Sequence, residues 1–216
     1  MFVFAAAVFR SEVALLLGTS ILYLLVVPAT SLELVIPPFI VSFLVALLVS
    51  VPVDSYFWQK PLWPELWGFY YNAIQGSSSD WGVSPWYYYF VSALPRLLLN
   101  PMTFLVLLPL SLSHPALRPA ANRLVIPSLL FVAIYSLQPH KEARFIFYAV
   151  PPLTAASALG ANLLFNRAFS PKKNSGNIWS ILLVLLLLAS VLLSFFISTG
   201  LLRGQRLLLG EGLHRR

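Results

Sequence analysis

The chain has 216 residues, of which 59% are hydrophobic and only 10% are Asp, Glu, Lys or Arg, and its mean hydropathy is +0.82. Such a chain cannot cover itself with the polar surface of a soluble domain, so we expect an all-α polytopic membrane protein. The net charge of +7 comes from basic residues scattered at the ends of apolar segments, which is typical of membrane topology signals rather than of a nucleic-acid-binding patch. The lack of cysteine excludes disulfides, thiolate metal sites and a cysteine nucleophile.

The first residues do not have the pattern of a secretory signal peptide. No basic region precedes the apolar run over residues 1–9, and Arg10 and Glu12 stand where a cleavage site of small residues would follow. We interpret this run as the remainder of a membrane segment or as an artificial start of the chain.

The apolar segments predict about six transmembrane helices in a membrane domain over residues 1–200, followed by a basic tail over 201–216. The first and fourth segments are short for the roughly 20 residues that a bilayer core requires. We expect the first to tilt or to extend upstream through Arg10, and the fourth to tilt or to include the residues before it. Pro37 and Pro38 should break or kink the second segment. The six predicted spans lie near residues 13–29, 34–53, 97–113, 124–137, 145–165 and 178–200.

Residues 54–85 form the only long polar interval, and it is rich in aromatic side chains. Aromatic rings beside polar groups are typical of a membrane-interface belt and also of a sugar-binding surface, and the sequence leaves both readings open. Residues 63–73 could lie flat on the membrane as a helix, with Glu65 near its N-terminus, and 76–82 reads as a polar turn. The aromatic residues in this interval include Trp58, Trp63, Trp67, Tyr70, Tyr71 and Trp81.

A charged cluster lies at the start of the fifth predicted span, in the stretch QPHKEARFIF over 138–147. It places His140, Lys141, Glu142 and Arg144 within five positions of a chain that has few charges. Ionisable groups at the edge of a bilayer are costly, so such a cluster is a hypothesis for a functional site. The alternative is an interfacial anchor, in which the two basic side chains reach lipid headgroups and Glu142 pairs with one of them.

Basic loops predict the orientation of the chain in the membrane. Arg167, Lys172 and Lys173 place the loop after the fifth span on the cytoplasmic side, and Arg118 and Arg123 place the loop two crossings earlier on the same side. The aromatic interval and the charged cluster then share the opposite face. The basic tail falls on that face too, which is contrary to the rule.

The sequence HKEARF resembles the HKExRF signature of the multi-span mannosyltransferases of glycosyltransferase family 22. Within that family the pattern is closest to the α-1,6-mannosyltransferases that add the eighth mannose to the lipid-linked oligosaccharide. The resemblance runs in order from about residue 8 to 165. It rests further on Arg10-Ser11-Glu12, Asp54-Ser55-Tyr56-Phe57-Trp58, Trp63-Pro64-Glu65, Asn72, Ser79-Asp80-Trp81-Gly82, Val83-Ser84-Pro85 and Leu94-Pro95-Arg96.

This resemblance implies a partial GT-C membrane fold and an inverting transfer in the lumen of the endoplasmic reticulum, without a metal or cofactor. The donor would be dolichyl-phosphate mannose and the acceptor the lipid-linked oligosaccharide. His140, Lys141 and Arg144 are expected to bind the donor phosphate, and Glu142 to orient one of these cations. If the fifth span is helical from its first residues, His140 and Arg144 share a face. Sugar or acceptor contacts are expected from Asp54, Trp58, Glu65, Asp80 and Trp81.

The sequence also departs from the family pattern. The family's essential acidic residue lies on a first lumenal loop, and nothing that corresponds to it precedes Phe9, so the chain reads as an incomplete copy with little activity of its own. The catalytic base is therefore unknown, with Asp54 and Asp80 as the remaining candidates. After Ser198 the chain leaves the family pattern. The alternatives are an α-1,2- or glycolipid-anchor mannosyltransferase of the same family, and a non-catalytic membrane protein such as a transporter or a remnant.

Overall fold

The computed structural model describes residues 1–75, 79–80, 82–98, 102–169 and 176–213. Within these ranges the chain is helical and contains no strand. Three single turns of π-helix, over Tyr70–Ile74, Tyr89–Ala93 and Thr103–Leu107, and a 3-10 helix over Ala143–Ala149 join the α-helices. The α-helices are α1 Phe2–Val8, α2 Glu12–Val26, α3 Leu32–Trp58, α4 Pro64–Phe69, α5 Leu94–Leu97, α6 Leu108–Ser113, α7 Arg118–Tyr135, α8 Val150–Ala168 and α9 Gly176–Leu213.

Three helical segments of the described chain are long and apolar enough to cross a membrane, namely Leu32–Trp58, Ala143–Ala168 and Ile178–Gly200. The most apolar part of Ile178–Gly200 has no buried residue, as expected for a surface that faces lipid. Two shorter apolar helices, Glu12–Val26 and Thr103–Ser113, coincide with the first and third predicted spans. The described part of this membrane protein is thus all helical with three candidate spans, and six crossings stay a prediction.

Two of the sequence expectations about helices are wrong, the extension of the first span through Arg10 and a break at Pro37 and Pro38, while a tilted first span and a kink at the prolines stay predictions. The first span does not extend through Arg10, because α1 ends at Val8 and α2 begins at Glu12. The backbone N–H of Ser11, between them, donates instead to Glu65 Oε2 at 2.6 Å. Pro37 and Pro38 do not break α3, which continues to Trp58 and includes Asp54. Gln59, with a φ of 54°, ends it.

The first compact unit consists of Met1–Leu94 and Asn122–Leu153. Its largest fully buried side chains come from three separate stretches of sequence and include Tyr89, Phe131 and Ile146. The indole N–H of Trp63 donates to the carbonyl of Ala7 at 2.8 Å, so the turn before α4 is joined to α1. This unit contains the whole charged cluster predicted from the sequence.

The second compact unit consists of Pro95–Ala121 and Thr154–Arg216. In it α8 approaches the segment before α6 very closely: a Cβ at Gly160 would lie 2.2 Å from the carbonyl oxygen of Leu107. Ser157, one turn before Gly160, donates from its Oγ to the carbonyl of Thr103 at 3.3 Å. Small residues on α8 therefore allow a contact between backbones, as is common between membrane helices.

Candidate active site

The charged cluster does not lie on a single helix, because the backbone is extended at Glu142 and Arg144 belongs to the 3-10 helix that follows. Glu142 has φ −121° and ψ 142°, and the 3-10 helix begins only at Ala143. The expected helical face shared by His140 and Arg144 is therefore wrong. Successive side chains of an extended segment point to opposite sides, so His140 and Glu142 share one side and Lys141 takes the other.

Glu142 is the centre of the cluster. Its Oε1 lies 2.9 Å from His140 Nε2 and accepts from Arg144 Nη2 at 2.9 Å, and its Oε2 lies 2.5 Å from Arg144 Nε. The hydrogen bond from His140, together with the bond and charge of Arg144, lowers the pKa of the Glu142 carboxyl. The arrangement orients both side chains, while the Arg144 side chain stays 64% exposed.

The lowered pKa of Glu142 predicts a defined pH dependence of stability. A carboxyl whose pKa is lower in the folded state stabilises the fold above its unfolded pKa, and this contribution disappears as the pH falls through the folded value. We expect Glu142→Gln to lower the thermal midpoint at pH 7, and the gap to the unmodified protein to close on acidification toward pH 3. Thermal unfolding in detergent across this range measures the gap, and a gap that does not change with pH contradicts the linkage.

His140 has an acceptor at each ring nitrogen. Besides Glu142 at Nε2, its Nδ1 lies 3.3 Å from the carbonyl oxygen of Gly82. Gly82 has a φ of 105°, a backbone conformation that residues with a Cβ rarely adopt. The ring of His140 is therefore held between the Glu142 carboxylate and the Gly82 carbonyl, next to Arg144.

Lys141 is buried on the other side of the segment. Its Nζ donates to the carbonyl oxygens of Ser84 at 2.9 Å and Gln138 at 2.6 Å, and burial lowers its pKa. The Ser84 N–H donates in turn to the carbonyl of Pro139 at 3.0 Å. Lys141 thus fastens the segment 82–84 to the segment 138–141, and two of its three N–H donors are occupied.

Lys141→Met is expected to destabilise the first unit by about 1–3 kcal/mol, because the methionine leaves the Ser84 and Gln138 carbonyls without their donor. Thermal unfolding with limited proteolysis near residue 84 measures the loss. The matched control is Lys60→Met at an exposed position, where we expect a change within about 0.5 kcal/mol. Equal stability of the two variants contradicts the fastening role.

The structure describes four of the five predicted sugar or acceptor residues. Asp54 lies in α3 and accepts from Ser50 Oγ at 2.5 Å, Trp58 is exposed at the end of that helix, and Asp80 is exposed. Trp81 falls outside the described residues, as does most of the predicted turn over 76–82. Of the four that are described, only Glu65 lines the cleft that also contains His140.

This cleft, of about 680 Å³, lies within the first unit. Sequence reasoning missed two of its polar groups, the buried carboxylate of Glu12 and the hydroxyl-bearing Tyr135. The signals for Glu12 were a charge just after an apolar run and a place in the family pattern, and Tyr135 had none. The cleft is lined by Ser11, Glu12, Leu15, Pro64, Glu65, Gly68, Phe69, Ile134, Tyr135, Leu137, Gln138, Pro139, His140 and Phe145.

The family of the chain is shown by comparison with known proteins. The model of the Alg9-like mannosyltransferase family matches residues 1–216. The chain belongs to this family. No solved structure matches the chain significantly.

Three curated relatives carry the same activity in their names. The chain is 48% identical over 171 residues to the probable Dol-P-Man:Man(7)GlcNAc(2)-PP-Dol alpha-1,6-mannosyltransferase of Schizosaccharomyces pombe. The matched residues make up 79% of this chain and 30% of the relative. The enzymes of that name from Drosophila melanogaster and Arabidopsis thaliana are 38% and 37% identical, covering 90% and 92% of this chain and 27% and 36% of the relatives. The chain spans about a third of the length of the curated relatives it matches.

Proposed function

We propose that the chain supplies the donor-phosphate site of an inverting mannosyltransferase that moves mannose from dolichyl-phosphate mannose to the lipid-linked oligosaccharide in α-1,6 linkage. The observation that carries this proposal is the cluster in which His140 and Arg144 meet at Glu142. The names of the relatives supply the two substrates and the linkage.

The chemistry of the transfer needs positive charge at the leaving group. When an acceptor hydroxyl attacks C1 of the mannose, the C1–O bond to phosphate breaks and the departing dolichyl phosphate gains a negative charge. Cationic donors that are already oriented stabilise this charge most effectively. Arg144 can offer two parallel N–H groups to phosphate oxygens, and the His140 ring helps to fix the Glu142 carboxylate that orients it. No residue is assigned as the base that takes the proton of the acceptor hydroxyl.

Lys141 has a different place in this proposal. Its ammonium is buried and bonded to two carbonyls, which supports a role in holding the cluster in position. We therefore keep Arg144 as the group that contacts the phosphate, with Glu142 orienting it and His140 held beside it. Lys141 adds its positive charge from the other side of the segment, away from Glu142.

We also propose the membrane arrangement that the basic loops predict. The protein lies in the endoplasmic reticulum membrane with six crossings of a partial GT-C fold in residues 1–200, and the basic tail over 201–216 follows. The loop that begins after α3 and the cluster at 140–144 face the lumen. A transporter would place ionisable residues at the midplane of its spans. Here they gather at the ends of helices, which supports an enzyme at the interface.

A chimera tests the proposed activity. The matching segment of the Schizosaccharomyces pombe relative is replaced by this chain, and labelled mannose is transferred from dolichyl-phosphate mannose to a seven-mannose lipid-linked acceptor. We expect a product that an α-1,6-specific mannosidase cleaves and an α-1,2-specific one does not. An α-1,2-linked product favours the alternative that the chain belongs to an α-1,2-mannosyltransferase of the same family. A folded chimera without transfer, beside an active parent, contradicts the proposal.

A further inference from the structure

The cleft next to His140 has the composition of a site for a small polar ligand with an apolar face. Its volume of about 680 Å³ lies within the range of about 300–1,000 Å³ that is usual for small-molecule sites. Its walls combine aromatic rings, among them Phe69 and Phe145, with the carboxylates of Glu12 and Glu65. All of these residues belong to the first compact unit.

Glu12 has hydrogen-bonding capacity that the protein does not use. The residue is only 8% exposed, yet its one ion pair, with Arg10 Nε, is long at 3.8 Å. Among the described residues we find no hydrogen-bond donor to its carboxylate. Arg10 itself donates from Nε to the Tyr148 hydroxyl at 3.4 Å. A nine-tenths buried carboxylate that lines a cleft and lacks a donor is costly unless a ligand supplies one.

Glu65 contributes a second acceptor that is fixed in place. Its Oε2 accepts the Ser11 N–H at 2.6 Å, which leaves Oε1 available to the cleft. Glu65 lies in the first turn of α4, and Ser11 immediately precedes Glu12. The hydrogen bond between Ser11 and Glu65 therefore joins the two segments that carry the carboxylates. The Tyr135 side chain lines the same cleft.

Phe145 joins the cleft to the charged cluster. Its ring lies edge-on to the His140 ring at 6.2 Å between centroids, and the Arg144 guanidinium carbon lies 5.6 Å from its centre. The cleft therefore adjoins the charged cluster through Phe145 and His140, while Arg10 lies near Glu12.

We propose that this cleft binds one hexose unit, whose hydroxyls donate to Glu12 and Glu65 and whose C–H face packs on an aromatic ring. Carboxylates accept two hydroxyls each in strong, charge-assisted hydrogen bonds, and an aromatic ring covers the apolar face of a sugar. The inference rests on the proposed function, because the phosphate site beside it is what makes a glycosyl phosphate the natural ligand. The hexose comes from the donor or from the glycan of the acceptor.

Binding measurements on the full chain in lipid nanodiscs distinguish a hexose of the donor from a hexose of the acceptor, and they do not require turnover. Dissociation constants are measured for dolichyl-phosphate mannose and for dolichyl phosphate, and for the lipid-linked oligosaccharide with seven mannoses and its form that carries only the two N-acetylglucosamines. The variants are Glu12→Gln and Glu65→Gln, which keep the size of the side chain and replace one acceptor oxygen by a donor. The control is Glu33→Gln, an exposed carboxylate in the first turn of α3.

We expect each cleft variant to raise the dissociation constant of a mannose-bearing lipid about tenfold and to leave its mannose-free counterpart within about twofold, as a lost hydrogen bond to a charged group predicts. The effect on the donor pair or on the acceptor pair identifies the source of the hexose. Thermal midpoints show whether each variant is folded. If Glu12→Gln does not fold, the binding constants of Glu65→Gln test the hexose site.

Unchanged constants for every mannose-bearing lipid in both variants overturn the hexose site. Equal binding of the mannose-bearing and mannose-free lipids by the unmodified chain also overturns the hexose site. That result does not contradict the phosphate site. If the unmodified chain binds neither dolichyl-phosphate mannose nor dolichyl phosphate, the proposed function itself fails.

Discussion

Gly160→Ala is expected to lower the stability of the second unit by about 3 kcal/mol or more, at the upper end of the range for overpacked cores. The added Cβ would lie 2.2 Å from the carbonyl oxygen of Leu107 and 3.1 Å from its carbonyl carbon. These are backbone atoms, so no side chain can turn aside, and α8 must move away from the segment before α6. Thermal unfolding of the purified protein in detergent measures the loss.

Gly18→Ala is the matched control for this substitution. Gly18 also lies within a helix, α2, but a Cβ there meets no atom within 4 Å. We expect this variant to be unchanged or up to about 1 kcal/mol more stable, because alanine has the higher helix propensity. If the two alanine variants unfold at the same temperature, the close approach between α8 and Leu107 does not exist in the protein.

Arg144→Ala is expected to raise the dissociation constant for dolichyl-phosphate mannose about 100-fold, which corresponds to about 2.7 kcal/mol. The guanidinium is oriented by two contacts with Glu142, and the side chain is exposed for a ligand. Arg144→Lys keeps the charge but loses the planar pair of donors, so we expect about a tenfold loss. Titration of the chain in nanodiscs with the donor lipid measures both constants.

Arg118→Ala is the control for the arginine series, because Arg118 is exposed at the start of α7 and belongs to the second unit. We expect its donor affinity to match that of the unmodified chain. If Arg144→Ala binds the donor as tightly as Arg118→Ala does, the charged cluster is an interfacial anchor and not a phosphate site.

The sequence predicted the location of the cluster, but it could not predict the direction of each side chain. Four ionisable residues within five positions of an apolar chain were enough to mark 140–144. The role of Lys141 depends on the backbone conformation at Glu142, which is extended and so turns Lys141 away from His140. That conformation is set by contacts with residues 82–84, more than 50 positions away, and local sequence does not report them.

The polar groups of the cleft show the same limit. Glu65 was predicted as a sugar or acceptor contact, and it lines the cleft. Glu12 was noted as a charge after an apolar run and as part of a family pattern, and its position depends on the bond between Ser11 and Glu65 across 54 residues. Helix α3 continues through the polar residue Asp54 to Trp58, beyond the apolar segment that marks the predicted span.

The most direct test of the central claim compares dolichyl-phosphate mannose with dolichol as ligands of the unmodified chain in nanodiscs. The two lipids share the polyprenyl chain, and the donor adds the phosphate and the mannose. We predict that the donor binds at least 100-fold more tightly and that its advantage shrinks as the salt concentration rises, because the exposed part of the contact is electrostatic. Equal affinity for the two lipids would contradict a phosphate site at Arg144.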